Sequence, residues 1–227
     1  MTLTSNAIKQ DIDSLIAELI GKGLCDDSNF SAIRTYGNAE EITFSGSEHV
    51  SIALGDIEYS DIYNELNGKR SFNMKLIDGA LIQMMYRLDE NANLKQHRLA
   101  FYPSPTLLPF QDDPDAYIRD DLFIDIIQRR IVPFPLRFDF DTREDVHIDM
   151  THPISHLTLG DVKDCRIPVS AALTPRWFIE FVLSNFYQTG EHDFIAGLPR
   201  HKIAFPSSIT DNEKKLMHMI VPYSAHQ

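Results

Sequence analysis

Two histidines and one of the chain's two cysteines fall within fourteen residues, His152-Pro-Ile-Ser-His156-Leu-Thr-Leu-Gly-Asp-Val-Lys-Asp-Cys165, and nowhere else are reactive side chains so dense. Three chemistries suit the set. Neutral imidazoles and a thiolate are ligands for zinc, nickel or iron, and His152, His156 and Cys165 together would leave one coordination position open. Pro153 argues against the usual helical histidine pair at this spacing, so ligation would need a loop or strand to bring the rings together. Alternatively, one imidazole takes a proton while the other gives one, the division of labour that cleaves RNA and other phosphate esters. Ser155 or Cys165 could serve as a nucleophile, although neither sits in an elbow or activating motif. Beside these stands a structural reading: His152 bonding within a turn, His156 in a polar network at a sheet edge, and Cys165 as a small buried hydrophobe. No metal and no cofactor is identified by these residues.

A second constellation precedes the first. In Leu136-Arg-Phe-Asp-Phe-Asp141 the apolar residues Leu136, Phe138 and Phe140 alternate with Arg137, Asp139 and Asp141, the period of a strand with one face buried. After a turn at Thr142 to Asp145, a second strand is expected in which Val146, Ile148 and Met150 continue the apolar face. His147 and Asp149 would then share the polar face with the charges of the first strand. Such a surface can move protons or bind a metal, and alternating charge is also how any one-sided sheet meets water. The candidate catalytic residues are therefore His152, His156, Arg137, His147, Asp139 and Asp149, with Arg137 or Arg166 to offset charge in a transition state.

The elements that must position them read as an α+β fold: a mostly antiparallel curved sheet with helices packed on one face and at the ends. A first helix is expected from a cap at Ser5, with Ile8, Ile12, Leu15, Ile16, Leu19 and Ile20 at three- and four-residue spacing and a stop near Gly21 and Gly23. Glu41 to Ser45 and His49 to Leu54 form a candidate hairpin around Gly46, followed by a short helix near Ser60 to Leu66. Asp78-Gly79 is a turn signal between Phe72 to Leu76 and Ala80 to Leu88, and Leu94 to Tyr102 continues the meander. Prolines 103, 105 and 109 and the acidic run Gln111 to Asp115 mark an excursion over 103–121, and a helix is expected from near Asp115, with Leu122 to Ile127 as its last turn. Short strands are expected at His156 to Gly160 and Cys165 to Val169. Thr174-Pro175 opens a helix to about Tyr187, and Thr210 with Glu213 caps a final helix to about Ile220. The chain is expected to form a single domain over 1–227.

The 227 residues carry 33 acidic against 21 basic side chains, a net charge of −12, so the average surface repels phosphate backbones and anionic lipids. Nonspecific nucleic-acid binding is disfavoured on that count. Arg129, Arg130 and Arg137, with His147, form the best candidate for a local basic patch. Two cysteines are too few for a disulfide framework. Met1 to Lys9 lacks a signal-peptide pattern, and no stretch reaches the roughly 20 apolar residues that span a bilayer. A cytoplasmic location is expected, with no membrane association. Phosphate-binding glycine loops of the P-loop and dinucleotide types are missing.

The motifs His152-Pro-x-Ser-His156-Leu-Thr-Leu-Gly160, Cys165-Arg-Ile-Pro168, Leu173-Thr-Pro175 with Phe178 and Phe181, and Asn185-Phe-Tyr187, preceded by Arg137-Phe-Asp-Phe-Asp141, resemble a bacterial family built on a domain of unknown function. The matched stretch runs from about Phe134 to Tyr187. Ala172 stands where that pattern often has proline. The resemblance implies a place in mobile gene sets that carry antiphage defence or toxin–antitoxin pairs. The expected function is accordingly a subunit of such a module, acting through contacts with a protein from the same operon or with a second copy of itself. The alternative is an effector RNase or phosphodiesterase with a histidine acid–base site.

Overall fold

The computed structural model describes residues 4–44, 57–105, 134–160, 162, 164–188, 193–198 and 204–222. Helix α1 covers Ser5–Gly21, and its stripe Ile8, Ile12, Leu15, Ile16 and Leu19 is fully buried. At about 2 kcal/mol for each sealed aliphatic side chain, this burial rather than intrinsic propensity holds the helix. Its cap is Thr4 instead of Ser5: the Thr4 hydroxyl accepts from the Ala7 amide at 3.2 Å, while Ser5 is already inside the first turn. The helix stops where Gly23 adopts φ 72°, which lets the Gly23 and Leu24 amides donate back to Ile20 and Leu19.

Nine strands follow among the described residues: β1 Cys25–Ser28, β2 Ser31–Tyr36, β3 Ala39–Phe44, β4 Met74–Leu76, β5 Leu81–Leu88, β6 Leu94–Tyr102, β7 Leu136–Asp141, β8 Ser155–Leu159 and β9 Ile167–Pro168. They form one antiparallel sheet in the order β1-β4-β5-β6-β7-β8-β9. One edge of β5 serves two partners. Its first residues pair with the three-residue β4, and the stretch Tyr86 to Leu88 pairs with β3, which carries β2 outward as a hairpin. Helix α2, Tyr59–Gly68, and helix α3, Pro175–Val182, complete the α+β architecture. α3 starts on the expected cap, the Thr174 hydroxyl accepting from Trp177 N at 3.2 Å, and widens into a π turn over Leu183–Tyr187.

Strand alternation divides the sheet into two unlike faces. Ile82, Met84, Tyr86, Leu99, Phe101, Phe138, Phe140 and Leu157 point to the side covered by α1 and α3 and form the main core with Ile12, Phe178 and Val182. On the other side, α2 covers one end with a smaller cluster in which Ile62, Tyr63 and Leu66 meet Leu81, Ala100 and Tyr102. Beyond that cluster the second face is polar.

Several expectations change. Glu41 to Ser45 does contain a strand, but β3 pairs with the preceding β2 across Gly37-Asn38, where Gly37 takes φ 59°; His49 to Leu54 lies outside the described residues, as do the excursion beyond residue 105 and the helix ending near Ile127. No strand runs from Val146 to Met150. The partner expected there is replaced by β8, so the apolar side chains find no sheet to cover, and Ile148 and Met150 are 61% and 44% exposed. Near the C-terminus the capping box forms, Thr210 and Glu213 each donating a backbone amide to the other's side chain. The helix it announces is a single 3-10 turn, Glu213–Lys215, because Met219 instead bonds to the backbones of Pro168 and Ser170.

Candidate functional site

Asp139 lies at the centre of the polar face. It is opposite Arg98 on β6 and opposite His156 on β8, so antiparallel register alone lines up three ionisable side chains from three strands. Arg98 Nε is 3.2 Å from Asp139 Oδ1, and Arg137, two residues earlier on the same face of β7, donates to Oδ2. Burial pushes the Asp139 carboxyl up, but Arg137, Arg98 and His156 outweigh it and hold it below the usual carboxylate range. One row along, Asp141 accepts from Gln96 at 2.9 Å and from Arg143 at 2.7 Å.

The two histidines arrive by a tight reversal. The Val146 and His147 amides both donate to Arg143 O, the backbones of Ile148 and His152 exchange hydrogen bonds, and Met150 between them takes φ 68°. This left-handed residue turns the chain back so that Pro153 and Ile154 lead straight into β8. His152 and His156 end with ring centroids 5.1 Å apart at 74°. His156 is buried; its Nδ1 is 2.9 Å from the Pro153 carbonyl, which can only accept, so the proton sits on Nδ1 and leaves Nε2 open, 4.0 Å from Asp139 Oδ2. The His152 ring is half-buried and has no hydrogen-bond partner among the described residues. Burial lowers the pKa of both imidazoles, and Arg166 lowers each further. Both rings are neutral at pH 7.

These groups border one open cavity of about 370 Å³, lined among others by Arg87, Arg98, Arg137, Arg143 and Arg166, by His152 and His156, and by the acids Glu41, Asp139 and Asp141. Five guanidinium groups against three carboxylates make this hollow locally positive on a chain of net charge −12. Arg143 and Arg166 are held on the rim by Asp141 and Asp164, whereas Arg87 has no ion-pair partner among the described residues.

Of the residues expected from sequence, Arg137, Asp139, His152 and His156 stand together around this cavity. His147 and Asp149 do not join them, because the strand that was to carry them is a turn. His147 donates from Nδ1 to the His152 carbonyl at 3.0 Å and braces the loop from behind. Asp149 accepts from Thr210 Oγ1 at 2.6 Å and Asn212 Nδ2 at 2.7 Å, tying the loop to the C-terminal segment. Cys165 is half-buried and away from the cavity lining. Among the described residues no three of His, Cys, Asp and Glu are grouped to hold a metal ion, so the two-histidine, one-cysteine set is not assembled. Arg129 and Arg130 lie outside the described residues. Arg87, Gln96, Arg98 and Arg143 are the contributors that sequence reasoning missed. For Gln96 and Arg98 the signal was alternation, since they share one side of β6 while His97, Leu99 and Phe101 take the other.

No helix among the described residues is long and apolar enough to cross a membrane. A family model described as an uncharacterised conserved protein matches residues 24–221, a span containing all nine strands and every residue of the cavity. No curated protein and no solved structure matches the chain.

Proposed function

The chain belongs to the DUF2290 family of uncharacterised conserved proteins, and we propose that it is a cytoplasmic phosphodiesterase of the ribonuclease type, with His152 and His156 as its acid–base pair. The observation that carries this reading is the local reversal of charge: an acidic protein collects five arginines and two touching imidazoles around one open hollow. Guanidinium forks match the oxygens of a phosphate, and five of them around one hollow can grip it from several sides at once. A bound phosphate adds negative charge beside both rings and raises their proton affinity, with Asp139 positioned to stabilise an imidazolium at His156.

The acid must first be charged: with the phosphate bound, His156 takes a proton from solvent at Nε2 and becomes an imidazolium. Neutral His152 then takes the proton from a ribose 2′-hydroxyl as that oxygen attacks phosphorus, and His156 gives its Nε2 proton to the departing 5′-oxygen. The products are a cyclic phosphate and a free hydroxyl, and Arg98, Arg137 and Arg166 offset the charge that builds on the phosphoryl oxygens. The test is cleavage of short RNA by the purified full chain. Replacing either histidine by alanine is expected to lower the rate about 100-fold or more, with the melting temperature held for His152→Ala and the circular-dichroism spectrum of the folded chain held for His156→Ala, whose ring is buried. Undiminished cleavage by His152→Ala and His156→Ala overturns the proposal.

A second reading, a subunit of an antiphage-defence or toxin–antitoxin-like module working through protein contacts, draws support from a different place. Met217 and Ile220 are 93% and 74% exposed, and Ile220 borders an apolar cleft formed with Trp177, Phe181, Met219 and Pro222. Co-expression with neighbouring gene products is expected to yield a stable complex. A chain that stays monomeric with each of them, and alone, removes this reading.

A further inference from the structure

We infer that the arginine-lined hollow continues into a base-binding subsite with Tyr36 as its stacking platform, so that the ligand is a nucleotide phosphodiester lying across the β2–β3 hairpin. The inference rests on the phosphate-ester reading of the first cavity and names what the second one recognises. A neighbouring cavity of about 620 Å³ is bordered by Tyr36, Asn38, Asp89, Glu90 and Lys95, and it shares Arg87, Gln96 and Arg143 with the first. The two spaces therefore meet at three polar side chains, two of them cationic, which is where a ribose-phosphate link would pass.

Register places Tyr36 on the correct side. Glu41 is opposite Arg87, and Arg34 is opposite Glu41, so these three share the polar face, and Tyr36 is two residues beyond Arg34 on the same face of β2. Tyr36 is 52% exposed at the tip of the hairpin, and its ring stacks on no other ring among the described residues. An aromatic side chain held at a strand end beside cationic groups is the arrangement that binds bases in single strands, because every base offers a π face. Glu90 at the border supplies acceptors only, suited to the amino and imino N–H groups of a base edge, whereas the Asp89 oxygens are already taken by Asn91, Asn93 and Lys95. Asn38 Nδ2 holds Glu90 at 2.6 Å and Lys95 holds Asp89 at 3.1 Å, which fixes both carboxylates in place.

A free dinucleotide and an RNA single strand present this same chemistry. The test is calorimetric titration of the full chain with three probes: a 2′-O-methyl dinucleoside monophosphate, a ten-nucleotide 2′-O-methyl single strand, and a base-free ribose phosphodiester of dinucleotide length. Tyr36→Ala is expected to weaken the dinucleotide about tenfold and to leave the base-free probe unchanged, while Tyr36→Phe binds like the parent. Tighter binding of the ten-nucleotide strand identifies RNA as the source, and equal affinity identifies a free nucleotide; either supports the subsite. Equal affinity for base-bearing and base-free probes, with no effect of Tyr36→Ala, overturns the subsite and spares the phosphate reading. Binding of no probe by the unaltered chain overturns both.

Discussion

His97 and His156 stand on β6 and β8, either side of β7, and each is 4% exposed, yet they face opposite sides of the sheet. His97 is wedged between Tyr86 and Phe140, with ring centroids 5.6 and 5.7 Å away, and its Nε2 accepts the Leu173 amide at 3.1 Å. Burial drives its pKa down to about 4, so it acts as a neutral pin fastening the approach to α3 onto the core face. His156 is no more exposed, but its open nitrogen faces a carboxylate clasped by two arginines at the border of a hollow. Burial alone therefore does not tell a structural histidine from a candidate acid–base group. What matters is whether the far side of the ring meets packed aromatics or a charged space that a ligand can enter.

The contrast between the two faces is open to direct attack. Phe178 packs edge-on against Phe138 at 6.1 Å in the core, and Phe178→Ala is expected to cost about 4 kcal/mol by urea denaturation. Arg98→Ala on the polar face should cost less than about 1 kcal/mol by the same measurement; comparable losses would erase the distinction. For His97 the unfolded chain gains a proton near pH 6.5 and the folded chain only near pH 4. Stability is therefore complete above pH 6.5 and falls as pH drops through that window, by up to about 3 kcal/mol. His97→Gln should flatten that part of the pH profile, and an unchanged slope would show that the pin is not what titrates.

Smaller effects sharpen the polar side. Asp139→Ala leaves two guanidinium groups and the open His156 nitrogen without their shared counter-charge, an expected loss of about 2 kcal/mol read from the urea midpoint at neutral pH. His152→Ala should move the midpoint by less than about 0.5 kcal/mol while abolishing RNA cleavage, the split that a structural histidine would not show. Asp149→Ala should leave phosphate affinity by calorimetry unchanged, since its bonds run to Thr210 and Asn212 and away from the cavity.

Particular elements show how far local pattern reaches. The stripe of α1, the cap at Thr174 and the alternation of Leu136 to Asp141 were legible because each depends on residues a few positions apart. β1 was not, since Cys-Asp-Asp-Ser carries no apolar alternation and is a strand only by pairing with β4. The Thr210 capping box was read correctly and still did not make a helix, because backbone bonds to Pro168 and Ser170 competed for the same segment. In the cavity, Arg137 and Asp139 were marked by their own strand, whereas Arg98 becomes their partner across a separation of 41 residues.

The amino-acid order by itself determined which side chains share a face of strands such as Leu136 to Asp141, where the helix after Thr174 begins, and that reactive groups crowd the segment from His152 to Cys165. Tertiary structure decided the rest: that β8 rather than the turn at Val146 to Met150 lies beside β7, that His97 enters the core while His156 faces arginines, and that Tyr36 shares a face with Arg87. The reason is physical. Side-chain alternation is set by the geometry of consecutive residues, but strand neighbours and register are set by burying apolar surface across the whole sheet, and no local window contains that balance.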